Sequence, residues 1–245
     1  STQDMIIDTA VGLIRGPQGT KVTLLILRRG TEQPFDVVVT RDVIRVPTVK
    51  TQKLDEGVFI ISLYNFNAQA PNEFRQALLE GVLAGSSRLV IDARNNPGGY
   101  LESAVDIASW FLPRGALVAK EEFGDGRVNE FRSRGYHGVE NWPVVMLING
   151  GSASASEILA GALRDGKGVF LVGEKTFGKG SVQELVELPQ GASLKVTIAK
   201  WLTPNGVSIA DEGLEPDHEV QLIPEKMNKG VDSQLLRAIE LLKSL

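Results

Sequence analysis

The chain has 245 residues, 42% of them hydrophobic and 23% charged, with 26 Lys and Arg against 30 Asp and Glu for a net charge of −4. That is an ordinary globular composition with room for one or two domains, and without a basic stripe it argues against nucleic acid as a partner. The absence of cysteine removes disulfides, thiolate metal sites and cysteine nucleophiles, no apolar run reaches the ~18 residues of a membrane span, and the opening residues carry no leader pattern.

In chain order, residues 1–16 read as a helix with Ile6, Ile7, Ala10, Val11 and Ile14 at helical spacing. Ser1-x-x-Asp4 is its capping pair and Gly16-Pro17 its stop. The runs "KVTLLILRRG" and "FDVVVTRDVIRV" predict two strands joined by a polar turn, and Pro47 ends this small α+β piece. From residue 56 strands and helices alternate. "GVFIISLY" is a strand, and "PNEFRQALLEGVLAG" a helix with Phe74, Leu78, Leu79, Val82 and Leu83 inward. "RLVIDAR", "PVVMLING" and "VFLVGE" are strands, while "YLESAVDIASWFL" and "SASEILAGALRDG" are helices. The alternation predicts an α/β layer with a mixed, mostly parallel sheet and flanking helices. "SVQELVELP" and "ASLKVTIAKWL", either side of Pro-Gln-Gly, predict an antiparallel hairpin, and "DSQLLRAIELLKSL" a closing helix.

Two strand-to-helix junctions are rich in small residues: "DARNNPGGYLES" at 92–103 and "INGGSASASEIL" at 148–159. In open α/β sheets such junctions line the ligand cleft, so both are expected to face one cleft. Of the three serines in the second junction, Ser154 is best placed. A serine at a helix start sits among unpaired N–H groups at the positive end of the helix dipole, which is what an oxyanion hole needs. Ala153 and Ala155 keep the approach open, whereas Ser152 lies before the helix and Ser156 within it. The competing reading is a plain cap, since Ser154-x-x-Glu157 fits a capping box.

A serine hydroxyl needs a base to attack. The two histidines, His137 in "SRGYHGVEN" and His218 in "EPDHEV", lie at no suggestive spacing from an acid or a strand end. The G-x-S-x-G elbow is absent, because the local pattern is Ala-Ser-Ala. Lysine is the alternative, provided that desolvation lets it lose its proton near neutrality. Lys179, between Gly178 and Gly180 after the strand "VFLVGE", is a candidate. The same segment, Gly173 to Lys179, mimics a phosphate-binding loop, but Gly180 replaces the Ser or Thr that would hold magnesium and the next residues alternate as a strand. Nucleotide binding is therefore not expected.

Taken together, "IDARNNPGG", "INGGSASASEILAGAL", "VGEKTFGKGSVQ", "LKVTIAKWLTPNGVSI" and "GLEPDHEV" resemble the carboxyl-terminal processing (tail-specific) proteases over essentially the whole chain. Residues 1–46 resemble the second half of that family's PDZ domain, and 47–245 its protease core with the closing helix. Of the PDZ groove, the chain supplies the helix and the strands after it; the first strand and carboxylate-binding loop would precede residue 1. The resemblance implies a serine endopeptidase with Ser154 as nucleophile, Lys179 as base and Gln183 orienting the lysine. The backbone N–H of Ala155 and of Gly98 or Gly99 would form the oxyanion hole, the choice between the glycines being open. No cofactor, metal or nucleotide is implied. The implied partners are proteins or peptides with exposed C-terminal tails, the implied setting is bacterial and extracytoplasmic (periplasm or cell envelope), and homo-oligomerisation is left open. The alternative is a non-catalytic tail-binding scaffold that keeps the fold.

Overall fold

A computed structural model describes residues 2, 5–28, 30, 33–43, 47–189, 192–210, 212–223, 227 and 229–245. The expected Ser1–Asp4 capping pair, the Gln190-Gly191 tip of the hairpin and the last residues of the second predicted strand, 44–46, lie outside these. Two compact units divide the chain, Ser1–Val46 and Pro47–Leu245.

The first unit holds helix α1 (Ile7–Ile14) and strands β1 (Lys21–Ile26) and β2 (Phe35–Thr40). The strands pair antiparallel, from Lys21 opposite Thr40 to Ile26 opposite Phe35. The helix is shorter than the expected 1–16, and its apolar stripe is not buried: Ile6, Ile7 and Ile14 are exposed and only Ala10 and Val11 are partly covered. Its C-terminal carbonyls are taken by a side chain instead of a glycine cap. Arg41 Nε donates to the Ile14 carbonyl at 2.7 Å and Nη2 to the Leu13 carbonyl at 3.4 Å.

The second unit is built on a six-stranded sheet ordered β12-β9-β8-β5-β4-β3. Its strands are β3 (Val49–Lys53), β4 (Val58–Leu63), β5 (Arg88–Asp92), β8 (Val144–Ile148), β9 (Phe170–Gly173) and β12 (His218–Glu219). All neighbours are parallel except β3 with β4, as the alternating pattern predicts. Helices α2 (Ala70–Leu83), α3 (Leu101–Ala108), α4 (Ala155–Lys167) and α5 (Ser233–Ser244) flank it. Successive strand residues point to opposite faces. Phe59, Ile61, Leu89, Ile91, Met146 and Ile148 pack with α2, α3 and α4, while Ile60, Val90, Val145, Leu147 and Val172 meet Ala238, Leu241 and Leu242 of α5. Burial on both faces makes these strands continuous apolar runs.

The α2 face differs from expectation. Leu79, Val82 and Leu83 are exposed, and the buried row is Ala70, Phe74, Ala77, Leu78 and Gly81. Gly81 decides this: a Cβ there would stand 3.0 Å from the Phe59 ring, so the helix comes closest to the sheet along its smallest residue.

A second, antiparallel sheet is ordered β10-β11-β6-β7, from β10 (Ser181–Glu187), β11 (Ser193–Leu202), β6 (Leu117–Phe123) and β7 (Val128–Arg132). β10 and β11 are the expected hairpin strands. The charged β6 and β7 and the polar edge strand β3 carry no strong apolar signal in the sequence, because each leaves at least part of a face to solvent.

Candidate active site

Three loops leave the carboxyl ends of neighbouring parallel strands: 93–100 after β5, 149–154 after β8 and 174–180 after β9. This is where open α/β sheets gather their functional groups. The first two loops are stitched together. The Asn95 N–H donates to Asn149 Oδ1 at 2.8 Å, and Asn149 Nδ2 donates back to Asn95 Oδ1 at 3.0 Å. The Ala153 N–H donates to the Asn96 carbonyl at 3.0 Å. Asn96, fully buried, anchors the pair by donating to the Leu63 carbonyl at 2.7 Å.

The three serines are not equivalent. Ser152 Oγ accepts from the Asn149 N–H (3.0 Å) and donates to the Ala93 carbonyl (2.8 Å). Ser156 Oγ donates to the Asn96 carbonyl at 2.9 Å. Both are buried and serve the loop's own structure. Ser154 is half-buried, its side chain makes no capping bond, and no hydrogen bond to its Oγ is found among the described residues. The capping-box arrangement is in place, with Glu157 Oε2 accepting from the Ser154 N–H at 2.7 Å and the Ser154 side chain facing the Glu157 N–H, but that N–H is bonded to the Ser154 carbonyl at 2.9 Å. Ser154 therefore stands at the helix start with its hydroxyl facing the Glu157 N–H and uncommitted to a side-chain hydrogen bond among the described residues. Its backbone, at φ 56 and ψ −115, lies in a region that residues with a Cβ avoid.

Gly98 presses against this turn. With φ 96, any Cβ on it would lie 2.6 Å from the Ala153 carbonyl and 2.8 Å from Ser154 Cβ, so only glycine fits. Its N–H is already committed to Asn96 Oδ1 at 2.9 Å. The N–H groups of Gly99 and Ala155 have no hydrogen-bond partner among the described residues.

The third loop is tied in through Phe177, whose N–H donates to the Ser152 carbonyl at 3.0 Å, and through Glu157. That carboxylate, fully buried, also accepts from Thr176 Oγ1 (2.6 Å) and from the N–H groups of Gly178 (2.7 Å) and Lys179 (3.0 Å). Of the loop's two lysines, Lys175 pairs with Glu215 at 2.7 Å, a hydrogen bond that raises its pKa above the ordinary value. Lys179 has an exposed side chain with no ion pair and no hydrogen bond to Ser154 among the described residues. Gln183 is exposed at a β-bulge that shifts the register after Val182; bulges of this kind re-aim side chains beside functional sites. The Ser154 turn, Gly98, Gly99 and the Lys179 backbone are thus brought together, while the Lys179 and Gln183 side chains reach into solvent. His137 sits 3.5 Å from Glu140 and His218 packs on Phe170, so neither is bonded to the serine. The sequence pattern flagged Glu157 only as half of a cap and carried no signal for Asn96, Asn149 or Thr176. No group of acidic and histidine side chains able to hold a metal occurs among the described residues.

The fold and the site define an α/β protein with a serine at a strained strand-to-helix turn. Residues 57–220 match Peptidase family S41, and the chain belongs to that family. A carboxyl-terminal-processing protease of Synechocystis sp. is 42% identical over 224 residues, covering 90% of this chain and 52% of that protein. The carboxy-terminal processing protease CtpA of Bacillus subtilis is 36% identical over 222 residues, 91% of this chain and 47% of that one. The chain spans about half the length of these relatives. Among solved structures, a photosystem II D1 C-terminal processing protease superposes with a TM-score of 0.71 at 30% identity, covering 84% of this chain and 57% of that one. The tricorn protease, at 17% identity and a TM-score of 0.52 over 77% of this chain and 18% of that one, shares the fold.

Proposed function

We propose that the chain is the catalytic part of a serine endopeptidase that cuts proteins near exposed C-terminal tails. The observation that carries the reading is the Ser154 hydroxyl on its strained turn, without a side-chain cap hydrogen bond and beside two N–H groups that have no partner among the described residues. Ser154 Oγ attacks the peptide carbonyl carbon and its proton passes to the Lys179 amine. The oxyanion is held by the N–H groups of Ala155 and Gly99, the latter favoured because that of Gly98 is already bonded to Asn96. The lysine ammonium then protonates the leaving amine as the C–N bond breaks, and water hydrolyses the acyl-enzyme. A lysine base works only out of water, so the exposed Lys179 has to fold over Ser154, with Gln183 orienting it, when substrate covers the site. Residues 1–46 serve in this reading as part of a PDZ-type tail-binding module, in an extracytoplasmic setting.

The separation of Lys179 and Gln183 from the serine also favours a second reading, a tail-binding scaffold without catalysis. Incubating a peptide that ends in an unstructured apolar tail with wild type, Ser154→Ala and Lys179→Ala separates the two. Hydrolysis by wild type alone is expected. Cleavage no faster than that of the variants leaves only the scaffold.

A further inference from the structure

We propose that Glu157 is a positioning residue that holds the Ser154 turn and the Lys179 loop in one frame, so that a single carboxylate sets how nucleophile and base approach each other. The inference deepens the Ser/Lys reading and rests on it. Glu157 lies in the first turn of α4 with 0% exposure. A carboxylate taken out of water is tolerated only when its lone pairs are filled. Here four donors fill them. Oε2 accepts from the Ser154 N–H (2.7 Å) and the Lys179 N–H (3.0 Å), and so bridges the backbones of the two candidate catalytic residues directly. Oε1 accepts from the Gly178 N–H (2.7 Å) and from Thr176 Oγ1 (2.6 Å). Thr176 is itself fixed, buried and accepting from the Leu214 N–H at 2.7 Å.

A helix cap needs only the first of these bonds. The other three come from residues 19 to 22 positions further along the chain, and capping does not account for them. Their common effect is to fasten the loop after β9 to the turn after β8. The ionised form suits this: both oxygens accept, so both loops are held at once.

Glu157→Gln keeps the shape but leaves one accepting oxygen and turns an NH2 toward two donors, so one loop has to shift. Glu157→Asp keeps the charge but cannot span both loops. With the tailed peptide as substrate and the full chain as enzyme, both variants are expected to lose about 100-fold in kcat with KM within about twofold, the mark of misplaced reacting groups rather than lost binding. Labelling of Ser154 by a serine-directed fluorophosphonate should slow in parallel, while thermal unfolding stays cooperative. Thr176→Val, which leaves both backbone bonds to Oε2, is expected to lose about tenfold or less. The proposal is overturned if Glu157→Gln keeps kcat within about threefold of wild type, if Glu157→Asp is as active as wild type, or if KM rises as steeply as kcat falls. Should Ser154→Ala hydrolyse the peptide like wild type, the Ser/Lys reading fails and the clamp with it; an active Glu157→Gln beside a dead Ser154→Ala removes the clamp alone.

Discussion

In the proposed reading, Ser154 carries a conflict between stability and chemistry. A residue with a Cβ at φ 56 and ψ −115 stores about 1–3 kcal/mol of backbone strain, and its hydroxyl makes no cap hydrogen bond that would offset it among the described residues. Strain of this kind survives at sites where activity requires it. Ser154→Gly is therefore expected to raise stability by about 1 kcal/mol, the relief exceeding the extra chain entropy of glycine, while hydrolysis is lost. Ser154→Ala keeps the Cβ and should stay within about 0.5 kcal/mol of wild type. Urea unfolding of the three proteins checks this, and a glycine variant no more stable than the alanine one would show that the turn is relaxed. That Ser154 stands apart from Ser152 and Ser156 was legible in the sequence, because small residues and a helix start are local signals. The reach of Glu157 was not, since three of its four donors arrive from a loop 19 to 22 residues away and a capping box looks the same whether or not they do.

At the scale of elements, period and propensity placed the strands and helices of the parallel layer but not the side that α2 buries. Leu78, Leu79, Val82 and Leu83 form an apolar stripe too broad to name one inward row. The choice falls to shape: at Gly81 the helix can lie against the Phe59 ring, and the rows that follow from this contact bury Phe74 and Leu78 and leave Leu83 80% exposed. Leu78→Ala should then destabilise by about 2–5 kcal/mol, whereas Leu83→Ala should change stability by no more than about 0.5 kcal/mol. Equal losses in chemical denaturation would put the helix in the face that periodicity alone suggests. The edge strand β3 and the strands β6 and β7 escaped the sequence pattern for a related reason: strands wetted on one side or at an edge carry charge where a buried strand carries valine.

At the scale of the second unit, the sheet face formed by Ile60, Val90, Val145, Leu147 and Val172 packs against α5, and the helix is fastened at its start by a partly buried ionic network. Arg94, in the loop after β5, donates to Asp92 (2.9 and 2.7 Å), Asp232 (3.1 Å) and Gln234 (3.0 Å). Asp232 is also the N-cap of α5, accepting from the Leu235 N–H at 3.0 Å. Burial alone would raise the Asp232 pKa, but the hydrogen bonds from Arg94 and Leu235 prevail and hold it below the ordinary value. Burial likewise disfavours the Arg94 charge, and the bonds to Asp92 and Asp232 outweigh it. A carboxylate with a folded pKa below its unfolded one adds stability that is fully present above the unfolded value, about 3.9, and is lost as pH falls through the folded value. Asp232→Asn can still cap the helix but forfeits the charge-assisted bonds to Arg94, so at pH 7 it should be about 1–3 kcal/mol less stable than wild type. The gap should narrow once pH drops below about 3.9 and close beneath the folded pKa. In the same acid range α5 amides should lose hydrogen-exchange protection before those of β5 and β8, and the uncovered apolar face should take up a hydrophobic dye. A stability gap that holds constant from neutral to strongly acidic pH would mean that α5 is kept in place by Ala238, Leu241 and Leu242 alone, with the Arg94 network contributing nothing that protons can remove.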